Sequence, residues 1–425
     1  MNEYDSYIIA NLLYNEFSIE HVHNINEADL LILNTCSVRE KANSKVFSEL
    51  GRWKKLKEIN KNLIICVGGC VASHDKEKIF LKAPYVDLIF GPQSLYLLPE
   101  MINNLISNKK KIIDISFDFN LKKFDYSIDN KFNLSSYITI SEGCNKYCTY
   151  CIVPMVRGYE RNRNFNDVIS EVYNLSIRGI KEIIFLGQNV NSYSGLMDNN
   201  NYASLSLLLK YSSNISNIER ISFISSNPRD FSDDIFLCYK DIPKISNHLH
   251  LPIQSGSNKI LDLMKRGYSV EKYKSIINKL KLYRPNITIS TDIIVGFPGE
   301  TDDDFNDTLD IINFVNFDVS YVYMYSPRIG TFSYKMNNNV SELVKKYRLK
   351  IVNDLLLKKY IYITTLMIGS IQRAFVIKKI SYNSYIGKTD NNRNVIFSSK
   401  KNIKYNFVNL YIKDNYGFDL IGNLI

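Results

Sequence analysis

Hydrophobic and polar positions along roughly the first 115 residues predict strands that are each followed by a helix. Three short runs are apolar throughout and have the length of buried strands; they lie at 30–34, 63–67 and 86–90. Apolar residues at helical spacing follow them, at about 38–57, 74–82 and 95–107. This alternation predicts a parallel sheet with helices on its faces. The chain opens directly on a helix-like stretch, with no strand before it.

A second series of strands and helices follows a polar stretch without a sustained period, which we interpret as a linker at 116–134. Its candidate strands are 137–140, 182–186, 220–224, 248–251, 288–295 and 319–325. Six strand–helix units fit an incomplete (β/α)6 barrel of the TIM type, with its chemistry at the carboxyl ends of the strands. Asn166 is a candidate helix cap, and Thr301 with Asp304 resembles a capping box.

The last part of the chain changes to short β-rich runs broken by Asn, Gly and Lys, after a helical connector at about 340–360. These runs predict a small antiparallel β-barrel. The fold class is therefore α/β with an added β-barrel. The predicted division is an N-terminal domain at 1–115, the linker at 116–134, a barrel domain at 135–362 and a C-terminal domain at 363–425.

Composition and charge narrow the class of protein. The 425 residues carry a net charge of +10, and nine basic against three acidic residues place +6 of it in 363–425. This concentration points to a nucleic-acid partner for the small barrel, although an AT-rich coding bias also adds lysine. No apolar run approaches the ~18 residues of a membrane span, and the first residues do not resemble a secretory signal. We expect a cytoplasmic protein without a membrane partner.

The seven cysteines are the clearest chemical signal, because an odd number in a reducing compartment argues against a disulfide framework. Cys144, Cys148 and Cys151 have the spacing C-x3-C-x2-C directly after the first barrel strand. Polar residues between them argue against three core cysteines, and no fourth zinc ligand lies nearby. Three thiolates on one loop suit a [4Fe–4S] cluster with one open iron, a site that can bind S-adenosylmethionine and cleave it to a radical.

Further motifs make this loop resemble that of the methylthiotransferases, a radical S-adenosylmethionine family, and among them the branch that makes 2-methylthio-N(6)-dimethylallyladenosine in tRNA. The similarity runs in collinear order along essentially the whole chain. It is carried by NTCSVREKA (34–42), GGCVAS (68–73), VDLIFGPQ (86–93), CIVPMVRG (151–158), LGQNVNSY (186–193), HLPIQSGS (250–257), TDIIVGFPGET (291–301) and YSPRIGT (325–331).

The resemblance implies three domains: an N-terminal methylthiotransferase domain, a radical barrel and a C-terminal TRAM barrel that contacts RNA. It implies that Cys144, Cys148 and Cys151 bind the radical cluster. Cys36 and Cys70 would bind a second, auxiliary [4Fe–4S] cluster. Cys66 and Cys238 lie within predicted elements, where a free cysteine is usually a core residue.

The family binds its auxiliary cluster with three cysteines, the first of them just ahead of a Met-Asn-Glu sequence. Residues 1–3 of this chain are Met, Asn and Glu, so that cysteine and its strand are not among the 425 residues. Two explanations stay open. Either translation starts upstream of Met1, which we favour, or the auxiliary site has two cysteines beside an open sheet edge.

Other candidate site residues follow from their positions. Polar residues at the ends of barrel strands are candidates for binding S-adenosylmethionine, with ordinary turn polarity as the alternative: Gln188, Asn189, Gln254 and Ser255. Tyr150 is a candidate to pack on the adenine, and a core position is equally open. Basic residues are candidates for contacts with RNA phosphate: Arg157, Lys378, Lys379, Lys388, Arg393, Lys400 and Lys401.

The predicted function is methylthiolation of isopentenylated adenosine 37 in the tRNA anticodon arm. One S-adenosylmethionine would generate the radical and a second would supply the methyl group. The implied partners are tRNA, a flavodoxin- or ferredoxin-type electron donor and a sulfur source, and we expect a monomer. Two alternatives remain: a related methylthiotransferase acting on threonylcarbamoyladenosine or a ribosomal protein, and a degenerate RNA-binding protein without catalysis.

Overall fold

The computed structural model of this chain describes residues 1–36, 40–117, 134–403 and 406–425, without the side chains of 40–44. The predicted linker at 116–134 lies almost wholly outside the described residues, as does Lys404, one of the basic residues counted in the C-terminal region. Among the described helices, none is both long and apolar enough to cross a bilayer.

The N-terminal region is a parallel sheet of four strands in the order β1-β2-β3-β4, which confirms the predicted architecture. Its elements are α1 (Asn2–Phe17), β1 (Leu30–Thr35), α2 (Glu40–Ile59), β2 (Ile64–Gly69), α3 (Cys70–Asp75), α4 (Lys78–Lys82), β3 (Leu88–Phe90), α5 (Leu98–Asn108) and β4 (Ile112–Asp114). The opening helix is confirmed. The helix predicted at 74–82 is wrong as one element, because Lys76 takes a positive φ of 51° and separates α3 from α4.

Successive residues of β2 face opposite sides of the sheet, which is why this strand is apolar throughout. Cys66 lies in the core formed with α1 and α5, whereas Ile65 and Val67 lie in the core formed with α2 and α4. The prediction that Cys66 is a core residue is confirmed, since its side chain is fully buried. Two layers of helices thus fix the sheet, and β1 is an edge strand of its described part.

The middle region is an open barrel of short parallel strands. Its strands pair as β11-β8-β5, β12-β13 and β14-β15, and isolated bridges connect Ile221 with Ile245 and Gln254 with Ile293. The parallel strands are β5 (Ser135–Thr139), β8 (Glu182–Leu186), β11 (Arg220–Phe223), β12 (His248–His250), β13 (Thr288–Ser290), β14 (Asp292–Val295) and β15 (Tyr321–Met324). Between them the chain forms two short antiparallel pairs, β6 (Ser141–Glu142) with β7 (Arg161–Asn162) and β9 (Ser194–Leu196) with β10 (Tyr202–Ser204). The strand predicted at 288–295 is therefore divided at Thr291.

Helices surround this barrel and close its core. They are α6 (Val153–Arg157), α7 (Phe165–Ile177), α8 (Leu205–Ser213), α9 (Asp233–Asp241), α10 (Asn258–Leu263), α11 (Val270–Tyr283), α12 (Asp302–Val315) and α13 (Glu342–Leu366). The capping box is confirmed: Thr301 Oγ1 accepts from the backbone of Asp304, whose carboxylate accepts from the backbone N–H of Thr301. The cap predicted at Asn166 is wrong, because α7 begins one residue earlier and Asn164 precedes it. Cys238 is fully buried in this core, as predicted.

The C-terminal region is a closed five-stranded barrel, which confirms the predicted small barrel, although the pair of its third and fifth strands is parallel and the other pairs are antiparallel. Its strands, in the order β16-β17-β18-β20-β19, are β16 (Ile371–Lys379), β17 (Ser384–Thr389), β18 (Asn394–Ser398), β19 (Phe407–Tyr416) and β20 (Asp419–Leu424). β17 was not among the predicted strands. The sequence SYIGKT has few apolar residues and a glycine within it, so its pairing with β16 and β18 is what makes it a strand.

Basic residues of the C-terminal barrel lie at its junction with the middle barrel, and for Arg393 this overturns the predicted contact with RNA. Arg393 was expected to contact RNA, yet it is only 1% exposed. Its guanidinium lies 2.5 Å from the carboxylate of Asp318 and stacks 3.7 Å from the ring of Tyr360. The buried carboxylate explains the position, because a guanidinium leaves water only where its charge is compensated. Lys388 is half-buried at the same junction, where burial lowers the pKa of its ammonium group.

Candidate functional site

The cysteine loop lies at the carboxyl end of the first barrel strand, where the sequence analysis placed it. It connects β6 with α6, and Gly143 begins it with a φ of +73°. A Cβ at Gly143 would lie 2.0 Å from the carbonyl oxygen of Tyr159, so only glycine fits. The backbone N–H of Cys144 donates to Gly158 at 3.2 Å, and that of Cys151 donates to Cys148 at 2.9 Å. The loop is thus a compact turn that carries all three thiols.

The three thiols have the donor chemistry of an iron–sulfur site, although they do not converge as they stand. Across the described parts of the chain, no three His, Cys, Asp or Glu side chains are gathered as for a metal ion. Burial raises the pKa of Cys151 to about 12 and the pKa of Cys144 above its usual value, and the charge of Cys148 adds to both effects. Cluster binding would draw these thiols together and take up their charge. The donor set therefore fits a [4Fe–4S] cluster.

Contacts from the far side of the barrel fix the middle of this loop. Thr149 donates its backbone N–H to Met264 at 3.1 Å and its hydroxyl to the carbonyl of Leu263 at 2.9 Å. The guanidinium of Arg266 donates from Nη1 to the Sγ of Cys148 at 3.4 Å. The segment after α10 therefore holds both the backbone and one thiol of the cysteine loop.

Cys36 and Cys70 are neighbours at the carboxyl edge of the N-terminal sheet. Cys36 follows β1, Cys70 begins α3 directly after β2, and the last residues of the two strands, Thr35 and Gly69, are register partners. Gly69 has a φ of +89°, and a Cβ there would lie 2.4 Å from the carbonyl oxygen of Thr35. This glycine lets the two strands end close together. Parallel sheets commonly bind ligands at this edge.

The two cysteine sites face each other. Cys70 is 6% exposed and packs against Ile152 and Val156, which follow Cys151 in the chain. Burial raises the pKa of the Cys70 thiol, while Arg157 lowers it by charge and hydrogen bonding. A site on the N-terminal sheet therefore lies directly beside the cysteine loop of the barrel.

Arg157 was predicted to contact RNA phosphate, and this is wrong. Its side chain is 4% exposed, and its Nη2 donates to the carboxylate of Asp5 in α1 at 2.8 Å. Its backbone carbonyl accepts from the side-chain amide of Gln93 at 3.0 Å. Arg157 thus holds the N-terminal region against the cysteine loop, and it is too buried to meet an RNA backbone.

Replacing Asp5 with Asn is expected to destabilise the protein by about 3–5 kcal/mol, because the Arg157 guanidinium is left buried without its countercharge. Denaturant unfolding followed by circular dichroism measures this change. As a control, Glu3→Gln removes a carboxylate from the same helical turn at an exposed position, so we expect a change below about 0.5 kcal/mol. Equal stability of the two variants would show that the ion pair does not hold the junction.

The end of β8 offers two oxygen acceptors at the barrel mouth. The amide nitrogen of Gln188 lies against the sulfur of Met1, and Asn189 donates its amide to Asp230 at 2.7 Å. Within the described residues, the carbonyl oxygens of both amides are buried without a hydrogen-bond partner. Such acceptors suit the amino group of an amino acid ligand. Lys146 of the cysteine loop lies 2.9 Å from Asp230, so the same carboxylate connects loop and strand.

The other predicted cofactor contacts occupy less open positions. Ser255 is fully buried, and its hydroxyl accepts from the backbone N–H of Ser257, which supports the start of α10. Gln254 has a positive φ of 73° and bridges its backbone to β14, which brings this turn to the barrel mouth. Tyr150 packs edge-on against Phe297 at 6.4 Å between ring centres and joins a small core cluster. The core alternative for Tyr150 is therefore the one that the packing favours.

Four of the predicted RNA contacts meet at one end of the C-terminal barrel. Lys378 and Lys379 end β16, Lys400 and Lys401 follow β18, and all four are exposed. The backbone N–H of Ser399 donates to Asn383 at 2.9 Å, which brings the two segments together. Tyr382, in the β16–β17 turn, is 88% exposed beside them. We call Lys378, Lys379, Tyr382, Lys400 and Lys401 the hairpin end.

Sequence reasoning missed three residues that organise these sites. Asp5 and Asp230 are ordinary acidic residues until the fold brings them against Arg157 and Lys146. Arg266 stands beside Lys265 in a polar turn, a context that is typical of solvent-exposed charge. Their partners lie 152, 84 and 118 residues away in the chain, so a single sequence contains no local signal for these contacts.

Comparison with known proteins assigns the class. Residues 138–312 match the Radical SAM superfamily, and residues 1–91 match the uncharacterized protein family UPF0004. The radical S-adenosylmethionine methyltransferase TsrM of Kitasatospora setae has a similar fold, with a TM-score of 0.51 at 13% identity over 76% of this chain and 72% of that one. The fold and the cysteine loop define a radical S-adenosylmethionine protein.

Relatives similar over the whole length assign the family. The chain is 47% identical to the tRNA-2-methylthio-N(6)-dimethylallyladenosine synthase of Ruthia magnifica subsp. Calyptogena magnifica, over 100% of this chain and 97% of the relative. It is 44% identical to that of Legionella pneumophila (strain Corby), over 100% and 96%, and 47% identical to that of Buchnera aphidicola subsp. Baizongia pistaciae, over 97% and 93%. The chain belongs to the family of tRNA-2-methylthio-N(6)-dimethylallyladenosine synthases.

Proposed function

We infer that this protein converts N(6)-dimethylallyladenosine at position 37 of tRNA to its 2-methylthio derivative. The observation that carries this inference is the direct packing of Cys70 on the segment that follows Cys151. Inserting sulfur into a C–H bond needs a radical source and a sulfur site at one substrate position. The packing of these two cysteine sites supplies that arrangement.

The cysteines would hold two [4Fe–4S] clusters, which we propose as follows. Cys144, Cys148 and Cys151 bind the radical cluster, and Cys36 and Cys70 supply two of the three cysteine ligands of the auxiliary one, the third not being among the 425 residues. With S-adenosylmethionine bound, the first cluster supplies a radical able to remove hydrogen from an unactivated carbon, and a second S-adenosylmethionine supplies the methyl group. The chain itself contributes thiolates, a buried junction that excludes water, and a fixed orientation of one site to the other.

We propose that Gln188 and Asn189 bind the amino group of S-adenosylmethionine through their unpartnered carbonyl oxygens. Their amide nitrogens already contact other side chains, so the two amides are oriented with the oxygen free to accept. Asp230 binds both Asn189 and Lys146, and so it fixes the end of β8 relative to the cysteine loop. Gln254 approaches the same mouth from the opposite side of the barrel and is the further candidate.

We propose that the hairpin end binds the anticodon arm through phosphate. In the described structure none of its four lysines pairs with a carboxylate, and Tyr382 offers an exposed ring on which a base can stack. Arg393 is excluded from this role by burial, and half-buried Lys388 is less accessible. The RNA-facing charge is therefore carried by fewer residues than the net charge of the region suggests.

Replacing Lys378, Lys379, Lys400 and Lys401 with glutamine is expected to weaken tRNA binding. The negative slope of log K against log salt should become less steep by about 3, because fewer phosphate contacts are made. Filter binding at several salt concentrations measures both quantities. As a matched control, the glutamine variant of exposed Lys55, Lys61, Lys109 and Lys110 changes the net charge equally. If both quadruple variants lose affinity to the same degree, the effect is net charge alone, and the hairpin end is not the binding surface.

The remaining partners are proposals from chemistry. A flavodoxin- or ferredoxin-type donor would supply the electron, a separate sulfur source would renew the sulfur, and the enzyme would act as a cytoplasmic monomer. The proposed domain division remains 1–115, 135–362 and 363–425, with the linker at 116–134 between the first two.

Two tRNA substrates distinguish this function from its nearest alternative. Purified protein with both clusters loaded anaerobically is incubated with S-adenosylmethionine and dithionite, and nucleosides are analysed by mass spectrometry. We expect the 2-methylthio product from tRNA carrying dimethylallyladenosine and none from tRNA carrying threonylcarbamoyladenosine. The reverse preference would contradict the assignment, and iron-loaded protein inactive on both would favour a binding protein without catalysis.

A further inference from the structure

Arg266 is placed inside the protein by an unusual turn after α10. Lys265 and Gly267, on either side of it, both have positive φ, at 54° and 71°. The backbone N–H of Arg266 donates to the carbonyl of Leu261 at 3.0 Å, which ends the helix. As a result the side chain points into the barrel, where Arg266 is 7% exposed.

The guanidinium of Arg266 is held by neutral groups and one thiol. Nη2 donates to the carbonyl of Pro252 at 3.3 Å and Nε donates to the hydroxyl of Tyr268 at 3.2 Å. Nη1 donates to the Sγ of Cys148 at 3.4 Å. Tyr268 is fixed in turn, because its hydroxyl donates to the carbonyl of Ile253 at 2.6 Å. These contacts aim one N–H of a fixed cation at a predicted cluster ligand.

The other buried arginines of the described structure show what Arg266 lacks. Each has a carboxylate oxygen within 2.8 Å: Arg157 with Asp5, Arg220 with Glu182, Arg348 with Glu300, and Arg393 with Asp318. Among the described residues, Arg266 has no carboxylate within ion-pair distance. A buried cation without a countercharge is costly. The sulfur of Cys148 is the one group in contact with it that becomes an anion when it binds iron.

We propose that Arg266 is a positioning residue for the radical cluster: its countercharge is the iron-bound thiolate of Cys148, and its hydrogen bond to that sulfur raises the reduction potential of the cluster. Reduction adds one electron, taken from an external donor, and so adds one negative charge beside the guanidinium. Hydrogen bonds and positive charge at cluster sulfurs favour the reduced form. This proposal rests on the cluster assignment made above.

The test is a redox titration followed by electron paramagnetic resonance, with dithionite as the reductant. It uses the full chain carrying Cys36→Ala and Cys70→Ala, so that the radical cluster alone is observed. We expect Arg266→Gln to shift the midpoint to lower potential and Arg266→Lys, which keeps the charge, to shift it less. The control is Arg284→Gln: Arg284 also bonds to carbonyl oxygens, those of Tyr239 and Ile242, far from the loop. We expect it to leave the midpoint unchanged.

Each outcome decides the proposal. Equal midpoints in the parent, Arg266→Gln and Arg266→Lys proteins would overturn it, while iron bound by the parent would still support the cluster assignment. If Arg266→Gln takes up no iron but Arg266→Lys does, the positive charge is required and the proposal stands. If both lose iron while Arg284→Gln keeps it, charge compensation is not the cause and the proposal fails. A parent that binds no iron would instead overturn the proposed function.

Discussion

Replacing Cys148 with alanine is expected to remove about four iron atoms per chain and to reduce cleavage of S-adenosylmethionine to the level of a protein-free reaction. Cys148 is the middle cysteine of the loop and the one whose sulfur contacts Arg266. Without it, the loop keeps only two of the three thiolates through which its C-x3-C-x2-C motif would bind the radical cluster. The variant also leaves the Arg266 cation buried with only neutral partners, which adds to the loss. Iron analysis and chromatography of 5′-deoxyadenosine measure the two effects.

Cys238→Ala is the matched control for this variant, because it makes the same chemical change in the same barrel. Cys238 is fully buried among apolar residues and its thiol donates to the carbonyl of Ser206 at 3.6 Å. We expect it to cost some stability through a small cavity and to keep both iron and cleavage activity. Iron loading of Cys148→Ala equal to that of Cys238→Ala would contradict the assignment of the loop as cluster ligand.

Replacing Cys36 and Cys70 together is expected to separate the two halves of the reaction. The double alanine variant should still form 5′-deoxyadenosine, because the radical loop is intact, but it should form no methylthio product. The two cysteines lie on the N-terminal sheet, and Cys70 reaches the radical loop through apolar contacts with Ile152 and Val156. Parallel assays of 5′-deoxyadenosine and of the modified nucleoside measure the separation.

Cys66→Ala tests whether that result is specific to the proposed ligands. Cys66 lies on β2 four residues before Cys70, and its side chain is fully buried in the core that the sheet forms with α1 and α5. Burial raises the pKa of its thiol well above the usual range, which suits a core residue. We expect this variant to keep the methylthio product. Product formation by the Cys36 and Cys70 double variant would show that sulfur insertion does not need the auxiliary site.

The sequence predicted the parts of the fold that local patterns determine. Apolar runs located most of the strands, and the spacing of Cys144, Cys148 and Cys151 located the loop at the end of the first barrel strand. The capping box of Thr301 was readable because both of its bonds lie within one helical turn. By contrast, β17 depends on pairing with strands on both sides, so its own residues gave no sufficient signal.

The basic residues show why the site was harder to predict than the fold. Arg393 stands in a polar stretch and Arg157 follows an apolar one, and each was expected to face RNA. Both are buried because a carboxylate distant in sequence meets them, Asp5 in one case and Asp318 in the other. Charge patterns along a chain show how many cations there are, but long-range contacts decide which of them remain available to a partner. Only the hairpin end keeps the expected exposure.

The most direct test is the tRNA of a bacterial strain that lacks its own 2-methylthio-N(6)-dimethylallyladenosine synthase and expresses this chain. Mass spectrometry of its nucleosides should show 2-methylthio-N(6)-dimethylallyladenosine in place of the unmethylthiolated form. Expression of the Cys148→Ala variant should leave N(6)-dimethylallyladenosine without the methylthio group. The account would be contradicted if the chain were expressed with iron bound and the nucleoside remained N(6)-dimethylallyladenosine.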